Sequence, residues 1–183
     1  MVQVRRTATD LLTNLFQDGQ ADKAIVANRI RDFIDSMLMP VCSASIVGGT
    51  TETSIATPGT FVNLAGTWVA AAHVVDISIN AAGGVLTYTG TPDRHFHIVS
   101  NVSFFTVGNN KEISFQWFKN GTTALPAPME RKVQSGGDIG SASIHSDALM
   151  TTGDTLELKV TNNTDATNLT VQDAYTFVMG MFV

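Results

Sequence analysis

The feature that most constrains this fold is an alternation of apolar and polar residues with a period of two, which recurs from residue 73 onward. Successive side chains of a strand point to opposite faces, so this period is typical of strands with one buried face. In residues 73–80, for example, Val75, Ile77 and Ile79 alternate with polar residues. About eight such segments, separated by turn residues and without a helical segment among them, predict an antiparallel β-sandwich.

The first forty residues follow a helical period instead. Thr9 and Asp10 can cap a short helix that ends near residues 17–20, and a second helix of about 16 residues runs from Asp22 until Pro40 ends it. This second helix is too short to bury its own apolar face, so it must pack on the following domain, on its copies or on a larger partner. The apolar face includes Ile25, Ile30, Phe33, Ile34 and Met37.

Composition therefore predicts three parts. Residues 1–40 form a helical segment, residues 41–59 are rich in Ser, Thr and Gly and are expected to be a linker or extended arm, and residues 60–183 form the sandwich domain.

The last strand departs from the alternation, because residues 175–183 are apolar on both faces. One face can fill the core of the sandwich, and the other has no obvious partner within the chain. A second copy of the chain is the economical partner, since closed symmetric homo-oligomers are common, although an N-terminal arm or a carrier particle would serve as well. The predicted interface residues are Tyr175, Phe177, Val178, Met179, Met181 and Phe182.

Charge and composition exclude several classes of function. The net charge is −5, with 16 acidic against 11 basic residues, which argues against nucleic acid as a partner. No apolar run is long enough for a membrane helix and the first residues lack the apolar core of a secretory signal, so we expect a soluble protein that does not bind membranes. The lone Cys42 cannot form an intramolecular disulfide.

Four segments of the sandwich region resemble a known jelly roll. They are residues 115–121, which end in Asn120-Gly121, residues 141–144, residues 149–162, in which Gly153-Asp154 opens a long alternating strand, and the apolar final strand. Together they resemble the trimeric jelly roll of the tumour-necrosis-factor and complement globular-head type over about residues 58–183. The resemblance implies a homotrimer with the C-terminal strand in the inner sheet, near the threefold axis.

The N-terminal segment is similar to short helical heads of tailed-bacteriophage virion proteins. The similarity rests on residues 11–20 and on residues 30–37, which contain Arg31-Asp32-Phe33-Ile34-Asp35-Ser36; the Ile-Thr typical of such heads before the second helix is replaced by Asp22-Lys23-Ala24. It implies a non-enzymatic structural protein of a virion, assembled in the host cytoplasm, whose partners are the major capsid or tail protein. Residues 1–40 are then the attachment segment, which binds the particle through Ile25, Ile30, Phe33, Ile34 and Met37. The implied role is capsid decoration or head fibre. The alternatives are a tail-associated protein that binds a host surface glycan, and a carbohydrate-binding module of a glycan-degrading enzyme.

Few residues carry candidate chemistry. His95 and His97 lie two apart on a strand and share a face, so copies around an axis would offer several imidazoles to a metal, although an ordinary polar face explains the same pair. His145 and Asp147 with Ser141 or Ser143 lack the elbow motif and the orienting group of a hydrolase, so no enzyme is predicted. No cofactor is predicted, because the acidic residues lie in turns and no Asp-x-Asp calcium loop is present.

Overall fold

The computed structural model describes residues 28–30, 34 and 38–181 of the 183-residue chain. The chain divides into two compact units, Met1–Met39 and Pro40–Val183. In the first unit, residues 28–30 and 34 are helical, and the half-buried Ile30 and Ile34 stand four residues apart. The rest of both predicted helices lies outside the described residues, as do the expected attachment residues Ile25, Phe33 and Met37.

The second unit is an antiparallel sandwich of two sheets, which we call the front and back sheets. The front sheet has six strands in the order β11-β7-β13-β1-β4, with β2 also pairing with β13. Its strands are β1 (Val41–Ile46), β2 (Glu52–Thr53), β4 (Val69–Ala70), β7 (Arg94–Thr106), β11 (Gly140–Met150) and β13 (Leu169–Met181).

The back sheet has seven strands in the order β10-β8-β12-β6-β5, with β3 on β12 and β9 on β8. Its strands are β3 (Val62–Asn63), β5 (Ile77–Asn80), β6 (Val85–Tyr88), β8 (Lys111–Lys119), β9 (Thr123–Ala124), β10 (Met129–Val133) and β12 (Thr155–Asn162). The predicted class, an antiparallel jelly-roll sandwich, is confirmed. Among the described residues, no helix combines the length and the apolar content that crossing a bilayer requires.

The core lies between the two sheets and follows the alternation of the sequence. Every second residue of β7 and β11 is buried, and β8 contributes Ile113, Phe115 and Trp117. The rings of Phe104 and Phe115 meet edge to face across the sandwich, with centroids 5.0 Å apart. Apolar side chains from both sheets interdigitate here, so the inner face of each sheet is buried in the core. The outer face of each sheet is not part of this core.

The expected linker over residues 41–59 contributes two strands of the front sheet instead. β1 pairs with β13 from Val41 to Ile46, and β2 pairs with β13 at its other end. Cys42, Ala44 and Ile46 are buried, so the segment has the period of two. Because most of its side chains are small, the composition of the segment does not reveal that period. The sandwich unit begins at Pro40 and includes this segment.

The end of β13 is held by Pro40. The amide of Gly180 donates a hydrogen bond of 2.8 Å to the carbonyl of Pro40. A Cβ at position 180 would lie 2.9 Å from Pro40 Cδ, closer than side chains normally approach. Glycine is therefore required in the middle of this apolar segment, and β13 is fixed against β1.

Candidate functional site

The outer face of the front sheet carries a row of apolar side chains at its centre. β13 presents alternate residues there, and register places Phe177 opposite Val99 of β7 and Met179 opposite Val41 of β1. Tyr175 is 49% exposed, and the other members are half-buried in the single chain. We call this set the apolar stripe: Val41, Val99, Tyr175, Phe177, Met179 and Met181.

The stripe contains four of the six predicted interface residues. Tyr175, Phe177, Met179 and Met181 share the outer face. Val178 points the other way, is 0% exposed and belongs to the sandwich core. The period of two separates it from its neighbours, so it cannot contact a partner from that position. Phe182 lies outside the described residues.

The outer face of the back sheet is closed by side chains of the chain itself. Its large apolar residue, Phe118, is covered by Lys159, whose Nζ lies 5.1 Å from the ring centroid. That ammonium also donates to the carbonyl of Gly121 at 2.6 Å and pairs with Glu157 at 3.3 Å. The ring of Phe61 packs on Phe118 with centroids 5.2 Å apart. A cation over an aromatic face is favourable, and the lysine stem shields the ring from water.

Polar side chains complete this closure beside Phe118. Gln116 Nε2 donates to the carbonyl of Leu125 at 2.7 Å, and Asn163 Nδ2 donates to Ser114 Oγ at 2.7 Å. The same serine hydroxyl donates to Glu130 at 3.3 Å. These bonds hold Gln116, Asn163 and Ser114 within the back face. The front face is the one left with an apolar centre.

Three histidines lie beside the stripe on the front face. His95 and His97 are outward residues of β7, as predicted, and His145 is an outward residue of the neighbouring β11. The rings of His97 and His145 have centroids 6.0 Å apart and are tilted by 52°. Asp147 stands directly opposite His97. Among the described residues, no group of three His, Cys, Asp or Glu side chains is close enough to hold a metal ion.

The residues considered for a hydrolase succeed one another along β11. Ser141, Ser143, His145 and Asp147 all face outward, each two positions from the next. Alternate positions of a strand are nearly 7 Å apart, which is beyond hydrogen-bond range for a nucleophile and its base. The structure therefore places these residues on one face without assembling a triad.

A groove lies at the other end of the front face, beyond the stripe. Its volume is about 590 Å³, and Tyr175 forms part of its wall. Asn101 stands opposite Tyr175 in the register, and Asp173 Oδ1 accepts a hydrogen bond from the amide of Gly48 at 3.1 Å. Ser45, Ser103, Ser141 and Ser143 supply hydroxyl groups to the lining.

The two turns that carry the jelly-roll resemblance are bonded to each other at one end of the sandwich. Asn120 and Gly121 both have positive φ, 52° and 74°, and reverse the chain between β8 and β9. Asn120 Nδ2 donates to Asp154 Oδ1 at 2.7 Å, and its Oδ1 accepts from the amide of Thr155 at 2.8 Å. The motifs thus have a structural role, which is to join the turns after β8 and β11.

Asp154 is the centre of this contact. Burial works to raise the pKa of its carboxyl, but hydrogen bonds from Lys119, Thr151 and Asn120 outweigh it and hold the pKa well below the ordinary 3.8. Lys119 Nζ lies 2.7 Å from Asp154 Oδ2, and the amide of Thr151 donates to the same oxygen at 2.8 Å. The carboxylate is therefore ionised and fully bonded, and it is a structural group.

Comparisons with known proteins place the fold. No protein-family model matches the chain, and no curated protein matches it. The structure of Eiger TNF from S. frugiperda matches with a TM-score of 0.55 and 12% identity, over 78% of this chain and 94% of that one. The globular domain of zebrafish complement 1qA protein matches with a TM-score of 0.51 and 11% identity, over 79% of this chain and 98% of that one. At these identities the likeness shows a common jelly-roll fold.

Proposed function

We propose that this chain is a non-enzymatic structural protein that assembles as a homotrimer through the outer face of its front sheet and decorates a bacteriophage virion. The observation that carries the proposal is the contrast between the two outer faces. The back face covers Phe118 with Lys159 and Phe61, whereas the front face has an apolar stripe at its centre. A face of this kind marks an interaction surface.

The fold supports a trimer as the assembly. Jelly rolls of the tumour-necrosis-factor and complement globular-head class commonly form trimers. Burial of apolar surface is worth about 25 cal/mol per Å², so three copies of the stripe would contribute substantially to a stable assembly. In this arrangement Phe177 and Met179 are the central contacts, with Tyr175 and Met181 above and below them on β13.

The virion role is supported by the N-terminal segment. Residues 11–20 and 30–37 are similar to helical heads of tailed-phage virion proteins, and Ile30 and Ile34 are helical residues spaced to share one face. In the proposal, this unit attaches to the capsid or tail protein and the sandwich is displayed outward. Three attached segments in one trimer would bind far more tightly than one, because the second and third contacts are intramolecular.

A deletion tests the attachment. Removing residues 1–39 keeps Pro40, which holds β13, and leaves the compact second unit intact. We expect the truncated protein to be trimeric and absent from purified particles, whereas the full chain is found on them. Retention of the truncated protein on particles, or absence of the full chain from them, would contradict the virion role. The trimer is tested separately, by the molecular mass of the protein in solution.

A second candidate function is adhesion to a host surface glycan by a tail-associated copy of the same trimer. The groove favours it, because its lining outside the apolar stripe includes the amide of Asn101 and the carboxylate of Asp173. An apolar wall with a few polar groups is typical of small-ligand sites. Binding of neutral oligosaccharides that is lost in Asn101→Ala and kept in Val107→Ala, an exposed residue away from the groove, would support this role. No binding to such oligosaccharides would remove it.

A further inference from the structure

Two histidines from neighbouring strands meet on the outer face of the front sheet. His97 belongs to β7 and His145 to β11, and the register pairs His97 with Asp147 and His145 with Val99. The two imidazoles are therefore diagonal neighbours on the same face. Their ring centroids are 6.0 Å apart, although 48 positions separate the two residues in the chain, His97 and His145.

This separation suits a shared metal ion. A metal–nitrogen bond to imidazole is about 2.0–2.1 Å, so two rings bound to one ion through one nitrogen each have centroids roughly 4.5 to 6.5 Å apart. The observed 6.0 Å lies within that range. The strands hold both side chains on one face, and the two rings are tilted by 52° to each other.

The surroundings favour a cation. The carboxylate of Asp147 stands directly opposite His97. His145 is exposed on β11, the edge strand of the front sheet, so an ion reaches the pair from that edge. Imidazole ligands suit nickel, copper and zinc. We propose that His97 and His145 chelate one divalent transition-metal ion in each chain. The described residues bring no third side chain into range, so water fills the remaining coordination positions.

The cross-strand pair differs from the pair along β7 that the sequence predicted. His95 and His97 lie on the same face, but His95 has Leu149 opposite it on one side and Met181 on the other. His97 likewise has Met179 of β13 on one side, but on the other side it has the carboxylate of Asp147, which can attract a cation. The two pairs share His97 and differ in the second ligand, which makes them separable by substitution.

Copper and nickel titrations of the full-length protein test the proposal. We expect one saturable site per chain by calorimetry, and an electron paramagnetic resonance spectrum of bound Cu²⁺ with coupling to two imidazole nitrogens. His97→Asn and His145→Asn should each weaken binding at least about tenfold and leave coupling to one imidazole. The matched control His95→Asn should bind like the wild type. All three residues lie on the outer face, and thermal unfolding of each variant verifies its fold.

Two results would overturn the proposal. One is a His95→Asn variant that loses affinity while His145→Asn retains it, which assigns the ion to the pair along β7. The other is the absence of saturable binding in the wild type. The proposal concerns two ligands of one chain and does not depend on assembly, so the molecular mass measured in EDTA tests the trimer separately from the metal.

Discussion

The two outer faces of the sandwich both carry apolar side chains, and they differ in how these side chains are covered. Each sheet has apolar side chains on its outer side, Phe118 on the back and Phe177 on the front. On the back, Lys159 lies 5.1 Å from the Phe118 ring and Phe61 packs beside it. On the front, Phe177 is flanked by Val99 and Met179, which add to the apolar surface.

The difference shows where a partner is required. A lone aromatic residue on a sheet can be shielded by a lysine stem and one neighbouring ring, so the back face is stable in contact with water. A row of six apolar side chains cannot be covered in that way, and its burial requires another surface. In the proposed trimer the front face is therefore the one that is buried, and the back face is the one exposed to the surroundings.

The largest expected effect comes from a charge in the apolar stripe. Phe177→Glu places a carboxylate where each copy would contact its neighbour, and an unpaired charge buried there costs about 2–4 kcal/mol or more per copy. We expect sedimentation velocity to show monomer in place of trimer. Gln134→Glu adds the same charge at an exposed position away from the front sheet and should leave the trimer intact. Trimer in the Phe177→Glu variant would show that the stripe is not the interface.

A smaller effect, on the free energy of unfolding, is expected at the contact between the turns after β8 and β11. This contact lies outside both outer faces. Asp154→Ala removes the acceptor of Lys119, Thr151 and Asn120, and hydrogen bonds to a charged group contribute about 1.5–3 kcal/mol. We expect the free energy of unfolding to fall by about 2–3 kcal/mol in urea titrations. Asp138→Ala, an exposed carboxylate in the loop before β11, should change it by less than about 0.5 kcal/mol. Equal losses would contradict the role of Asp154.

Acid should weaken the sandwich through its depressed carboxyl groups. The pKa of Asp154 is well below the ordinary 3.8, and hydrogen bonds from Lys111 and Thr167 lower the pKa of Asp165 to about 2. A carboxyl with a lowered native pKa stabilises the fold above its unfolded pKa, and this contribution is lost as pH falls through the native value. The free energy of unfolding should therefore decline below about pH 4. Asp154→Asn should flatten the acidic end of that decline, and an unchanged slope would contradict the assignment.

The smallest expected effect tests the cover of the back face. Lys159→Ala removes the ammonium above Phe118 and its bond to Gly121, which together contribute about 1 kcal/mol. We expect a small loss of thermal stability and no change in the oligomeric mass. Glu112→Ala, an exposed residue at the start of β8, serves as the control. Dissociation of the trimer by Lys159→Ala would show that the back face takes part in assembly.

The sequence determines much of the fold because alternation is a local property. It predicted the sandwich, the turn at Asn120-Gly121 and a last strand with one face in the core. The sequence did not predict the strand Val41–Ile46. Its buried and half-buried positions alternate, but most of its side chains are too small to show a clear apolar pattern. The prediction that Val178 lies in the interface was also wrong, because its side chain is in the core. When a strand is apolar on both faces, the sequence does not show which alternate residues point inward.

The histidine pair was beyond prediction for a different reason. His95 and His97 are neighbours through the chain itself, so strand geometry places them on one face without any tertiary information. The approach of His145 to His97 depends on the register of β11 against β7, which is set by eleven residue pairs from Gly140 to Met150. That register is a property of the folded sheet, and the groove beside Tyr175 depends on it in the same way.

The molecular mass in solution tests the central claim most directly. Light scattering on the full-length protein, chromatographed at micromolar concentration in EDTA, should give three times the chain mass of 19.5 kDa. That result is predicted by an apolar stripe that three copies bury together. A single species of 19.5 kDa, with the stripe stable in contact with water, would contradict it.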